Sequence, residues 1–199
     1  MRRSKLVGIG LLWMGTIVTH PATAAMLTFE DLIPPPAGYD LMPSPYGGLN
    51  WSGFYFGIDT VYTPASGVID LFTDYADPSD PAAYVITRNN AITAASPFRF
   101  DGASFSGYSG VTFELYWNGS LVHTSDRLPD APGAIPYAPT FLASGYSGEV
   151  DKVVVVGVQG YYSMDDVEYT ALPVPEPTSF ALIGIGLIAV GALTRSRKH

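Results

Sequence analysis

The chain has 199 residues, only 14 % of them charged, no cysteine and a formal net charge of −8. Without cysteine there can be no disulfide framework, zinc–thiolate site or cysteine nucleophile. Six of the ten bases sit at the two ends, while all eighteen acids lie between Glu30 and Glu176, so the body is strongly acidic and argues against nucleic acid as a partner.

The first segment reads as a secretory signal peptide. Arg2, Arg3 and Lys5 form a basic start, residues 6–18 an apolar run too short for a comfortable membrane span, and Pro21 breaks it. Ala22-Thr23-Ala24 offers the small residues that a signal peptidase accepts, which places cleavage after Ala24 or Ala25 and the signal at 1–25. The paired arginines leave a twin-arginine route open, and an uncleaved anchor is the plain alternative.

Residues 26–172 predict an all-β domain. No stretch sustains a 3.6-residue apolar period with caps. Short runs rich in Val, Ile, Tyr, Phe and Thr alternate with Gly, Pro, Asn, Asp and Ser. In chain order the candidate strands are MLTFEDL, LNWSGFYFGI, GVIDLFTDY, AITAASPFRF, ASFSGYSGVTFELYW, VDKVVVVGV and YYSMDDVEYTAL. Asn118-Gly119 predicts a tight hairpin turn inside VTFELYWNGSLVHTS. Alternation puts Val111, Phe113, Leu115 and Trp117 on one face of its first arm and Thr112, Glu114 and Tyr116 on the other. The valine run predicts a strand buried on both faces. Eight to ten strands without βα alternation imply a two-sheet antiparallel sandwich, most simply a jelly roll. The turn-rich stretches GYDLMPSPYGGLNW and RLPDAPGAIPYAP are read as loops, where binding usually sits.

The last segment, 173–199, begins with Val174-Pro175-Glu176-Pro177, which the prolines keep extended. Residues 178–194 carry no charge and are just long enough for a spanning helix. Arg195, Arg197 and Lys198 then hold the tip on the cytoplasmic side, leaving the body outside. A plain membrane anchor is one reading. The order of Pro-Glu-Pro, an apolar Gly-containing stretch and a basic tip resembles the PEP-CTERM sorting signal of exported bacterial proteins. That resemblance covers the last 26 residues. It implies a Gram-negative, exopolysaccharide-making bacterium, transient inner-membrane insertion, and an exosortase that cuts near the motif and passes the protein to the cell surface or matrix. In the body, an early FED, then GLNWSGFYF and a late SMDDVEY resemble PEP-CTERM-carrying proteins with a galactose-binding-like β-sandwich. This second resemblance implies a jelly-roll fold and a structural calcium, and no established activity.

Chemistry in the body is sparse. Of three histidines, His20 belongs to the signal and His199 to the tip, leaving His123 on the hairpin's second arm. A triad through His123 with Ser125 or Asp126 has no G-x-S-x-G elbow to support it, so His123 reads as an edge-strand residue. Eighteen acids would allow a glycosidase pair without selecting one. For calcium, alternation places Asp166 on the face of Met164. A buried Asp166 needs backbone N–H groups or a cation, and Glu30 and Asp31 near the first strand could complete an oxygen site. Trp51 and Trp117 fall in strands and read as core, whereas Tyr46 and Tyr146 lie in Gly/Pro/Ser loops and are candidate ligand contacts. The leading expectation is an exported, non-enzymatic sandwich that binds exopolysaccharide or matrix proteins weakly. The alternative is a glycoside-cleaving enzyme on the same scaffold.

Overall fold

The computed structural model describes residues 22–34, 36, 38–73 and 86–173, and these contain eleven strands and no helix. Most of the signal segment, the Val174-Pro175-Glu176-Pro177 motif, the apolar stretch and the basic tip lie outside the described residues. The strands are β1 (Thr23–Leu27), β2 (Tyr39–Leu41), β3 (Asn50–Ser52), β4 (Phe54–Ile58), β5 (Ile69–Thr73), β6 (Ile86–Gly107), β7 (Thr112–Trp117), β8 (Ser120–Thr124), β9 (Tyr137–Ala143), β10 (Val150–Val158) and β11 (Tyr162–Ala171).

Every pairing is antiparallel, and β6 organises them. Its first half pairs with β3 on one edge and β10 on the other, and β7 and β8 continue outward from β10. Its second half pairs with β9 and β11, and β5, β4 and β2 continue outward from β11. One strand of 22 residues therefore belongs to both layers. The change of layer falls at 94–97, where β6 carries extra residues between Thr93↔Lys152 and Phe98↔Val150. Pro97, which has no N–H to give a ladder, is tolerated at such a bulge, and bulges are how strands turn sandwich corners. The sequence divides this strand between two runs; Asp101-Gly102 looks like a break, and the strand instead runs through it with register shifts against β11.

The layers meet through aromatic side chains. Phe113 of β7 packs edge-on against Phe100 at 4.8 Å and tilts over Phe105 at 5.5 Å, both from the second half of β6. Around them Phe98, Leu71, Ile92, Leu115 and Met164 are buried. The alternation expected for β7 holds, with Val111, Phe113 and Leu115 inside. Asn118 (φ 49°) and Gly119 (φ 75°) form the two-residue left-handed turn expected between β7 and β8. β10 sits between β6 and β7 with Val153 to Val156 all buried, as its valine run predicts. The first and last strands pair, from Thr23↔Ala171 to Leu27↔Val167. The all-β, jelly-roll-type sandwich is thus met. Of the stretches read as loops, 137–139 belongs to β9, and GYDLMPSPYGGLNW contains β2 and the start of β3.

Candidate functional site

The outer face of the layer containing β2, β4, β5 and β11 carries a cleft. Phe54, Phe56, Ile69 and Leu71 are buried in the core, so period-two alternation turns Tyr55, Gly57, Asp70 and Phe72 outward. Register places Tyr55 beside Phe72 and Gly57 beside Asp70. Tyr39 of β2 lies opposite Gly57 and meets the Tyr55 ring edge-on at 6.1 Å. Glycine is required at 57, because a Cβ there would lie 2.2 Å from the carbonyl oxygen of Gly38.

The β4–β5 connection, residues 59–68, crosses this face as a strap. Asp59 opens it: its Oδ1 accepts the N–H groups of Val61 (2.8 Å) and Tyr62 (2.6 Å), an Asx-type turn. Tyr62 then donates its hydroxyl to the Gly160 carbonyl at 2.8 Å and sets its ring edge-on to Tyr108 at 5.8 Å. Burial, with the Asp59 charge beside it, raises the Tyr62 phenol, so it stays a neutral donor. Tyr39, Tyr55, Phe72, Tyr62, Tyr108 and Tyr161 line a cleft of about 360 Å³, with Asp59 and Thr60 among its polar groups and no basic side chain among the described residues.

Beneath the strap is a layer of buried polar groups. Asp70 is 1 % exposed and Asp165 2 %, with Ser163 and Ser106 buried beside them and bonded to each other at 2.9 Å. Asp165 accepts the N–H of Ser66 at 2.7 Å and the N–H of Asp166 at 2.7 Å, and burial still pushes its carboxyl up to about 6. Asp70 has no such backbone donors: among the described residues both its oxygens, and Oδ2 of Asp59, are buried without a hydrogen bond of normal length and angle, and the Ser163 hydroxyl beside Asp70 is bonded to Ser106. Burial pushes the Asp70 carboxyl up to about 9; Asp59 and Asp165 add to the rise, while the Ser163 hydroxyl opposes it.

The expected calcium ligands find protein donors instead. Glu30 Oε1 accepts the N–H groups of Val68 (2.9 Å) and Ile69 (2.7 Å). Asp31 accepts the Tyr46 hydroxyl, and Asp166 accepts Ser66 Oγ at 2.9 Å. The alternation assumed for Asp166 fails, because the strand bulges there with Asp166 at φ 47°. Asp166 is only half-buried, and the buried acid is Asp165, which the register of β11 with β5 sets on the outward face beside Asp70, under the strap. Glu30 and Asp166 do meet the same strap, at opposite ends of 66–69, but among the described residues no three acidic or histidine side chains converge as a metal site. These residues do not fit a calcium ion.

Tyr46 and Tyr146 are half-buried rather than free loop aromatics, and neither lines the cleft. Tyr46 packs on Phe29. Tyr146 stacks on His123 at 5.5 Å beside a shallow depression with Arg99 and Asp101. His123 lies on edge strand β8, as expected. Trp51 is core, at 6 % exposure, whereas Trp117 at the hairpin is only half-buried. The sequence shows Tyr55, Tyr108 and Tyr161 among many aromatics suited to sugar but does not single out the cleft tyrosines. Two signals were there: Phe54 and Phe56 inside force Tyr55 out, and Asp70 stands alone in the apolar run VIDLF.

Residues 173–198 match the family described as the PEP-CTERM protein-sorting motif. The chain is accordingly an exported protein with a membrane-anchored precursor, and an exosortase is its processing partner. No curated protein matches the sequence. Among solved structures, a mutant of a family 29 carbohydrate-binding module aligns over 75 % of this chain and 93 % of its own, at 9 % identity and a TM-score of 0.37. Similarity at that level adds nothing to the fold read directly from the strand pairing.

Proposed function

We propose that the exported domain binds uncharged polysaccharide, without cleaving it, at the cell surface or in the exopolysaccharide matrix. The tyrosine cleft is the observation that carries this reading. Flat rings suit the apolar faces of sugars, and neutral phenols and Thr60 suit their hydroxyls. Among the described residues the lining carries Asp59 and no base, which disfavours acidic sugars.

The glycoside-cleaving alternative needs two carboxyls flanking the scissile bond. Asp59 is committed through Oδ1 to two amides, its Oδ2 is buried, and Asp70 lies wholly behind it. This arrangement favours binding. The test is retention of the purified protein on neutral and on acidic polysaccharides, with Tyr55→Ala and Tyr108→Ala as variants. Loss of retention on neutral polysaccharide at an unchanged melting temperature supports the reading. Equal retention of all three proteins, or release of reducing sugar, defeats it.

Export on this reading includes signal-peptidase cleavage after Ala24 or Ala25. Cleavage after Ala25 would remove the pairs of Thr23, Ala24 and Ala25 with β11 and leave those of Met26 and Leu27. Sequencing the exported form from its N-terminus checks this; a chain beginning at Met1 would count against it.

A further inference from the structure

We infer that Asp59 and Asp70 share a single proton, and that this proton fixes the strap over which the tyrosine cleft is built. Its functional meaning rests on the cleft reading above; its structural content does not.

Gly57 pairs with Asp70, and the Asp59 N–H donates to the Val68 carbonyl at 3.0 Å, continuing the same ladder. Asp59 and Asp70 are therefore diagonal neighbours on one face of adjacent strands, within side-chain reach. Three carboxyl oxygens, Asp59 Oδ2 and both of Asp70, are buried there without a donor. Ionised carboxyls only accept, so two facing carboxylates leave one another unsatisfied. Burying them so is costly, and one proton between them removes the cost: Asp70 O–H donates to Asp59 Oδ2.

None of the bases whose side chains are described takes that place. Arg99 pairs with Asp101, Arg127 with Asp130, and Lys152 lies over the Tyr116 ring. The other groups facing Asp70 are Ser163, bonded to Ser106, and Asp165, both from β11; Asp166 and the strap's Ser66 lie beside Asp165, and Tyr62 lies beside Asp59. Ser66 is already held by Asp165 and Asp166, and Tyr62 by Gly160. A cation would need more ligands than converge here. The proton holds Asp59 in the orientation that accepts Val61 and Tyr62, and so sets where the Tyr62 ring stands. Asp70 is thus a positioning residue, two steps removed from any ligand.

The test uses the full chain in detergent, without ligand, so it stands or falls apart from the polysaccharide reading. At pH 8 the infrared spectrum of the wild type is expected to show a protonated-carboxyl stretch that shifts in D2O. Both Asp70→Asn and Asp59→Asn should remove it, since an amide supplies the missing donor. Asp70→Val, which supplies none, should speed hydrogen exchange at the Val61 and Tyr62 amides about tenfold, the loss of one hydrogen bond to a charged group. A wild-type spectrum without the band overturns the proposal. So does a band that survives in both Asn variants, a band that appears only after chelator treatment, or unchanged exchange in Asp70→Val.

Discussion

Asp70→Asn should flatten the dependence of stability on pH. In the native state burial and two neighbouring carboxylates keep Asp70 protonated up to about 9. In the unfolded chain it titrates in the ordinary aspartate range, near about 4. Between those values the folded state holds one proton that the unfolded state has released. The stability from this group is complete below the unfolded value and is lost as pH rises towards the folded one. One proton corresponds to about 1.4 kcal/mol per pH unit. From pH 5.5 to 7.5 the wild type should therefore lose about 2.7 kcal/mol relative to the Asn variant. Asp165, also raised, contributes its own loss in the lower part of that range, but it is present in both proteins and largely cancels in the difference. For a chain of this size the difference corresponds to roughly 5–11 °C in melting temperature. The assay is thermal unfolding by circular dichroism in matched buffers. The Asn variant should gain on the wild type as pH rises. Parallel curves across the range would refute a proton held by Asp70.

Three further outcomes are expected. Glu176→Ala should leave an unprocessed membrane form; a wild-type surface protein whose intact mass still includes 180–199 would reduce the sorting signal to a plain anchor. Gly119→Ala should destabilise by about 1 kcal/mol in chemical denaturation, because Gly119 sits at φ 75° with nothing within 4 Å of an added Cβ, so the effect is conformational alone. Chelator should leave the wild-type melting curve in place; a fall of several degrees would mean that Glu30, Asp31 or Asp166 serves a cation rather than the donors described above.

The sequence by itself determined the features that local chemistry encodes. The Pro175-Glu176-Pro177 motif with its apolar and basic sequel needs no fold to be read. Alternation in β7, the Asn118-Gly119 turn and the valine run of β10 each reflect a period or a backbone preference that a few adjacent residues carry. Tertiary structure decided what depends on residues distant in sequence. β6 became one strand because both its halves found partners, which no property of Asp101-Gly102 announces. Asp166 left the face of Met164 because a bulge against β6 interrupts the alternation there, while Asp165, outward beside Asp70, was buried by the strap. The cleft draws Tyr39, Tyr62, Tyr108 and Tyr161 from four separate parts of the chain, and their faces converge only through the register of β2, β4, β5 and β11. Asp70 shows the division most plainly. Its position between Ile69 and Leu71 fixes that it points away from the core. Whether that direction meant water or a buried proton was settled by the strap that folds over it, since solvation is a property of everything that surrounds a group.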